Sequence, residues 1–283
     1  MTEQKRVVAI HDISGFGRCS LTVALPILSA AGIETAALPT AVLSTHTGGI
    51  SGYTYRDLTA DIRPFTEHWS TLGLQFDAMY SGFLGSFEQL ELVGEFFERF
   101  KTEDNVILVD PVMADNGQMY KIFSPEFAKG MAGLCRYADI LVPNITEACF
   151  LLDETYVEGP YTKAYIENLL KKLTQLGPNK IVLTGAFFDE HNLGAATYDK
   201  STGSIDYVFA PRIPGYFHGT GDVFGSALLA AYLNGFSLSD SAGIAVRYTT
   251  GSINRTYLAG TDIRFGVDFE RGIPDLLKEL KLV

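Results

Sequence analysis

Gly219, Thr220, Gly221 and Asp222 stand in the segment HGTGDVFGSALLAAYLNG (218–235), where a glycine-rich turn runs into an apolar helix that ends at Gly235. Residues of these types at the amino end of a helix can bring main-chain N–H groups close to an anion, where the aligned peptide dipoles favour negative charge. The same field favours the carboxylate form of Asp222, which can then accept a proton from an alcohol. A plain alternative stands beside this one: Gly219 and Gly221 make a tight turn and Asp222 caps the helix.

Other stretches hold polar residues where chemistry is possible. In PNITE (143–147), Asn144 and Glu147 are three apart at a helix start after the strand DILVP, so both can point into one crevice. Equally, Asn144 can cap that helix and Glu147 close a capping-box pair. DPVM (110–113) sets Asp110 at a strand end, where Pro111 turns the chain outward, and a solvated carboxylate is the bland reading. Asp12 follows the first apolar run, and an Asx-type turn into Ser14 and Gly15 is as good an account of it as a ligand contact. STHTGG (44–49) puts His46 and Thr47 in a polar loop, and a lone histidine there is more often hydrogen-bonded than catalytic, so His46 is given no proton-transfer role.

These residues need a frame. Short β-rich runs, RVVAIH (6–11), ETAALPT (34–40), FDAMYSG (76–82), NVILVD (105–110), DILVP (139–143) and KIVLTG (180–185), alternate with helical stretches at 21–32, 56–73, 87–101, 145–153 and 162–177. That alternation predicts an α/β fold, a mainly parallel sheet covered by helices, with ligands outside the carboxyl ends of the strands. LGAATYD followed by SIDYVFAP predicts an antiparallel pair at one edge. No repeat, low-complexity tract or composition break marks a linker, so residues 1–283 are expected to form one domain.

With 22 basic and 33 acidic residues the formal net charge is −11, which argues against nucleic acid or an anionic membrane as main partner. A phosphate ligand remains open, because amides act at contact distance while remote charge is screened beyond about 10 Å. Cys19, Cys135 and Cys149 form no CxxC pair, and the start MTEQKRVVAIHD is too short an apolar run for a signal peptide. Reduced thiols in the cytoplasm are the expectation.

GTGD before a long small-residue helix, late in a chain of this pattern, resembles the ribokinase superfamily. SGFLGS (81–86), DPVM, PNITE and STHTGG occur in the order seen in its pyridoxal kinase branch, often described with the hydroxymethylpyrimidine kinases. The resemblance covers residues 5–255 and implies a three-layer sandwich, ATP and Mg2+ as requirements, a homodimer, and phosphorylation of the 5′-hydroxymethyl group of a vitamin B6 heterocycle; a monovalent cation such as K+ is left open.

On that resemblance Asp222 is the catalytic base, and Gly219, Thr220 and Gly221 form the anion hole. Asn144 and Glu147 organise Mg2+, its waters and the phosphates, with Asp110 near the metal. Thr184, at the end of KIVLTG, meets the nucleotide phosphates, and Tyr120 belongs to a mobile segment, DNGQMYKIF (115–123), that folds over them. Asp12 stands where the family grips its heterocycle; pyridoxal kinases commonly carry serine there, so the aspartate is a departure, one that would suit a protonated ring nitrogen. Thr47 meets the phenolic oxygen of the ring with His46 beside it, while Leu43 and Phe83 sandwich the ring.

Three rivals differ in sequence terms. Hydroxymethylpyrimidine kinases commonly have cysteine at the Asp222 position and lack the STHTGG-type loop. A non-catalytic vitamin- or nucleotide-binding regulator on the same scaffold would not need Asp222, Asn144 and Glu147. A dinucleotide-binding dehydrogenase would open its first helix with GxGxxG, whereas SGFGRCS has only GxG.

Overall fold

Alternate residues of each central strand belong to two different cores. Val8 and Ile10 pack on one face of the sheet with Met79, Ile107, Val109, Leu141, Ile181 and Leu183. Val7 and Ala9 pack on the other with Ala78, Tyr80, Leu108, Ile140 and Val182. Strands buried on both faces are the mark of a parallel sheet sandwiched by helices, and the computed structural model, which describes residues 4–283, has that architecture.

The sheet has nine strands. β1 (Arg6–Phe16), β2 (Glu34–Thr45), β4 (Ala78–Ser81), β5 (Val106–Val109), β8 (Ile140–Leu141) and β9 (Lys180–Ala186) are parallel neighbours. Antiparallel strands finish the edges, β3 (Tyr55–Asp57) on β2, and β10 (Asn192–Asp199) with β11 (Ser204–Pro211) on β9. A separate two-stranded hairpin joins β6 (Ala114–Asp115) to β7 (Gln118–Met119). The order β11-β10-β9-β8-β5-β4-β1-β2-β3 makes the chain reverse its direction of progress between β1 and β4. Such a reversal opens a crevice at the carboxyl ends of those two strands.

One face carries α2 (Thr59–Thr71), α3 (Phe87–Phe100), α4 (Phe127–Cys135), α5 (Ile145–Leu151) and α6 (Lys163–Leu173); the other carries α1 (Leu21–Ala30), α7 (Thr220–Leu233), α8 (Leu238–Ala259) and α9 (Ile273–Glu279). Among the described residues no helix is long and apolar enough to cross a membrane. The three cysteines are buried free thiols.

Several boundaries differ from those expected. β1 does not stop at His11 but continues to Phe16, because Ile13, Ser14 and Phe16 go on pairing with Val42, Leu43 and Thr45 of β2 across an irregularity at Asp12. Asp12 therefore lies inside a strand, not after one. β3 occupies the start of the stretch expected as a helix at 56–73, and that helix begins only at Thr59.

α7 is the helix that matters for the site, and it is buried from Val223 to Ala231 without interruption. A helix with no polar face needs small residues where it meets its neighbours. At Gly225 an added Cβ would lie 2.4 Å from the Tyr80 hydroxyl. Gly225→Ala is therefore expected to destabilise the fold by about 1–3 kcal/mol through overpacking. Tyr80→Phe in the same chain removes the obstructing oxygen, and a denaturant double-mutant cycle should show partial recovery. Additive losses would mean that α7 moves off the sheet and that the contact is not what fixes it.

Candidate active site

Two turns from opposite ends of the sequence interlock at the crevice. Gly219 adopts φ +73°, and a Cβ there would fall 1.9 Å from the carbonyl oxygen of Arg18, so glycine is required both by backbone conformation and by space. The amino end of α7 has no side-chain cap. Its first N–H groups are therefore not taken by a capping side chain, the condition an anion hole needs. Thr220 Oγ1 donates back to the Phe217 carbonyl at 3.3 Å and braces the turn.

Asp222, in the first turn of α7, is 16% exposed. Burial pushes its carboxyl up to about 7; the nearby main-chain N–H of Ser20 pulls the other way, and the nearby Asp12 charge adds a smaller upward push. A carboxylate that titrates near neutrality beside an uncapped helix end can take a proton from a hydroxyl. The helix-cap alternative fails on one point, since Gly219, not Asp222, occupies the cap position.

Ser20 holds a second acid as well. Its Oγ donates to Asp12 Oδ1 at 2.6 Å, and Ser14 Oγ donates to Asp12 Oδ2 at 3.1 Å. Asp12 is buried, which raises its carboxyl above the usual range against the pull of the two hydroxyls. Of the two readings of Asp12, the Asx turn is not what forms: Asp12 binds the side chains of Ser14 and Ser20 within a strand. Ser20 stands between Asp12 and Asp222 with φ 58°, ψ −133°, a strained conformation for a residue with a Cβ.

Across the crevice Asp110 follows β5 directly and is buried; its N–H donates to the Ser81 carbonyl at 2.9 Å. Burial, then the charges of Glu147 and Asp222, hold its carboxyl well above the ordinary range. Asn144 and Glu147 form the capping box of α5: Asn144 Oδ1 accepts from Glu147 N at 2.9 Å, and Glu147 Oε2 accepts from Asn144 N at 2.9 Å. Glu147 Oε1 also accepts from Met113 N at 3.1 Å, and Asn144 Nδ2 donates to the Ala114 carbonyl at 2.8 Å. The pair thus fastens DPVM to α5. Burial pushes the Glu147 carboxyl up to about 8 in spite of these bonds. Thr184 stands beside Asn144 at the end of β9, bridged to it main chain to main chain, with its hydroxyl 3.4 Å from the Pro143 carbonyl.

The segment expected to be mobile begins as an ordered hairpin. Asn116 and Gly117 both have positive φ, 49° and 73°, the geometry of a tight two-residue hairpin turn. Gly117 N donates to Thr146 Oγ1 at 3.0 Å and ties the hairpin to α5. Tyr120 follows it, donates its N–H to the Met113 carbonyl, and is 37% exposed; burial of its phenol, with the Glu147 charge nearby, raises it above its ordinary range.

On the acceptor side the residues are less well gathered. Leu43 is buried in β2, paired with Ser14 and thus next to the Asp12 cluster. Phe83 is half-buried just beyond β4, its ring 5.8 Å from that of Phe123. Thr47 is exposed. His46 is buried with both nitrogens committed: Nδ1 accepts from Gly48 N at 3.1 Å, and Nε2 bonds the Arg264 carbonyl. Its polar atoms hold the loop itself, leaving ring contact as all it can offer a ligand. His218, beside the GTGD turn, places its ring 5.0 Å from His46 and links the two loops. Ser20 and His218 lack a motif of their own; a serine before an apolar helix reads as an ordinary cap, and only its φ shows otherwise.

Among the described residues no group of three or more His, Cys, Asp or Glu is placed to hold a metal. Asp110 and Glu147 nevertheless fit a hard cation bound mostly by phosphates and water. They are buried oxygen donors whose carboxyls are both held protonation-prone, and a cation would relieve the like charge of Glu147 on Asp110.

Comparison with known proteins agrees with this geometry. The sequence model described as phosphomethylpyrimidine kinase matches residues 27–265. A candidate phosphomethylpyrimidine kinase of Bacteroides thetaiotaomicron, crystallised with pyridoxal, is 36% identical with a TM-score of 0.93, covering 97% of this chain and 96% of that one. The pyridoxal kinase of Lactobacillus plantarum is 29% identical with a TM-score of 0.89 and 98% of both chains covered. A candidate pyridoxal kinase of Saccharomyces cerevisiae is 31% identical over 163 residues, 54% of this chain and 50% of that protein, so this chain matches half the length of that relative. The match runs from α1 through the acceptor loop and the GTGD turn, and solved relatives share the fold from end to end: this chain belongs to the phosphomethylpyrimidine kinase family.

Proposed function

We propose that this kinase transfers the terminal phosphate of ATP to the 5′-hydroxymethyl group of pyridoxal, pyridoxine or pyridoxamine. The observation that carries the reading is Asp222, a half-buried carboxylate in the first turn of a helix whose amino end has no side-chain cap. Support for the acceptor comes from the Bacteroides relative crystallised with pyridoxal and from the Lactobacillus enzyme named pyridoxal kinase.

In the reaction, Asp222 takes the proton of the acceptor hydroxyl as that oxygen bonds to the γ-phosphorus. The bond from phosphorus to the β–γ bridging oxygen breaks, and its electron pair leaves on ADP. Main-chain N–H groups of Gly219 to Gly221 face the charge on the transferring group, an arrangement set before substrate arrives. Asp110 and Glu147 are the residues that would hold Mg2+, which supplies neutralisation of phosphate charge. Thr184 and Tyr120 flank the phosphates, and the β6–β7 hairpin keeps water from the nucleotide. Asp12, kept in place by Ser14 and Ser20, meets the ring nitrogen, while Leu43, Phe83, His46 and Thr47 border the ring.

A second acceptor, hydroxymethylpyrimidine, is favoured by the description of the family itself. Both molecules present a hydroxymethyl group on a six-membered nitrogen ring, so the reaction itself does not separate them, whereas Asp222 in place of cysteine and the STHTGG loop favour the B6 acceptor. Coupled ADP release with pyridoxal, pyridoxine, pyridoxamine and hydroxymethylpyrimidine side by side should give the highest kcat/KM with a B6 vitamer; hydroxymethylpyrimidine in first place would overturn the assignment.

Asp222→Asn should lose about 10²–10⁴-fold in kcat with nucleotide affinity intact, because the amide cannot take the proton. In the wild type, kcat should fall as pH drops through about 7, where the carboxyl protonates. The stability effect has the opposite sign: the folded pKa lies above its ordinary 3.8, so native protein holds this proton more tightly and loses that stabilisation as pH rises through about 7. Asp222→Asn should therefore melt at or above wild type at pH 8, with the gap closing toward pH 5. Unchanged turnover would remove Asp222 as the base. Glu147→Gln should raise the Mg2+ concentration for half-maximal rate about 10–100-fold; an unmoved Mg2+ titration with a lowered melting temperature would confine Glu147 to capping α5.

A further inference from the structure

Next to Asp222, where β1, β4 and α7 meet, lies a fully buried histidine, His11, whose two ring nitrogens have no hydrogen-bond partner in the protein. Tyr80 and Ser226, also fully buried, lie beside it with their hydroxyls turned toward each other. Buried polar groups are nearly always paired, so the exception at His11 calls for a functional account. Apolar residues of similar size would fill this space at lower cost, as they do elsewhere along β1.

His11 also faces the reacting group. It is the last residue of β1 before the irregularity at Asp12. Its ring stands edge-on to Tyr80, with centroids 4.4 Å apart and planes at 78°. The opposite side rests on Gly82, where a Cβ would lie 2.3 Å from Nδ1. Packed from both sides, the ring keeps Nδ1 3.8 Å from Asp222 Oδ1. Burial keeps the imidazole neutral, pulling its pKa down to about 3. A neutral ring carries one N–H, and an opposing carboxylate favours having it on Nδ1.

The other ionisable groups around this pair are Asp12 of β1, Cys19 before α1, Tyr80 of β4 and Asp110 after β5. None of them carries positive charge. Asp222 can thus be oriented only by neutral donors, and the Ser20 main-chain N–H is the nearest besides His11. A separation of 3.8 Å is too long for a hydrogen bond, but catalytic contacts are often long in free enzymes and tighten in the reacting complex.

We propose that His11 is a positioning residue for Asp222: its Nδ1–H donates to Oδ1 in the reacting complex and, with the Ser20 N–H, holds the carboxylate in the rotamer that meets the acceptor hydroxyl. His11 exchanges no proton in the step, which passes from the hydroxyl to Asp222 alone. The inference rests on Asp222 as the base but not on which alcohol is the acceptor.

Its test uses three variants. In His11→Asn the amide nitrogen takes the place of Nδ1, in His11→Gln it takes the place of Nε2, and His11→Leu has no donor. His11→Leu and His11→Gln are expected to lose about 10–100-fold in kcat with KM for ATP unchanged, the range typical of an orienting partner, while His11→Asn stays within about threefold of wild type. Equal losses in the Asn and Gln variants, or a loss confined to KM, would overturn the proposal. The rates are to be taken with whichever acceptor of the panel is turned over, so a wrong vitamin assignment leaves the comparison standing. 15N-histidine NMR of the wild-type chain with ADP and acceptor alcohol bound adds a readout that needs neither turnover nor a stable Leu variant. The His11 signal, identified by its loss in His11→Asn, should report the Nδ1-protonated tautomer and shift in Asp222→Asn. The Nε2-protonated tautomer, or a signal indifferent to Asp222→Asn, would sink the idea.

Discussion

The approach of the Ser20 main chain to the Asp222 carboxylate is the constraint around which the crevice is organised. To make it, the chain leaving β1 must turn back onto the start of α7, and the turn brings the Arg18 carbonyl against the Gly219 Cα, where only hydrogen fits. Ser20 must also take up φ 58°. Backbone strain of this kind costs about 1–3 kcal/mol and persists only where the surroundings over-determine it. Here α7, buried along nine consecutive residues, cannot shift to relieve it, and the Ser20 hydroxyl is fixed on Asp12. One strained residue thereby joins the acid expected at the acceptor to the acid expected to take the proton.

That junction explains why four carboxyl groups, Asp12, Asp110, Glu147 and Asp222, can share one crevice in a chain of net charge −11. Each is desolvated and raised, and no lysine or arginine acts on them; His46 exerts only a minor pull on Asp12. What holds Asp12, Glu147 and Asp222 instead is a set of N–H and O–H donors: Ser14 and Ser20 hydroxyls, and main-chain N–H groups of Ser20, Met113 and Asn144. Neutral donors orient an acid without cancelling its charge. The acids keep their charge, and the first N–H groups of α7 are left free of a capping side chain.

Much of the fold was legible because it rests on local pattern. Short unbroken apolar runs mark the central strands, and alternation finds the antiparallel pair β10–β11 at the edge. Where the pattern misleads, pairing partners decide. Ile13 to Phe16 reads as a turn because of Ser14 and Gly15, yet β2 continues alongside and extends the strand. Tyr55–Asp57 lies within a helix-like stretch but pairs with Ala41 to Leu43. Asn116-Gly117 is a hairpin signal in itself, but strands of two residues are too short to show any alternation around it.

The geometry of the GTGD turn was legible, since Gly219 to Asp222 is one contiguous turn at a helix start. The surroundings of Asp12, Leu43, His46 and Phe83 were not, because each polar atom's availability there depends on a partner far away in sequence. His46 shows the difficulty: its loop suggests a ligand contact, but Arg264 supplies the carbonyl that occupies Nε2. His11 shows the converse, a histidine closing an apolar strand that reads as core until α7, over 200 residues later, sets Asp222 against it. Reaction type is therefore written in a short motif and survives a reading of sequence alone. Acceptor identity is a property of pairings across the sheet, which a short contiguous motif does not contain.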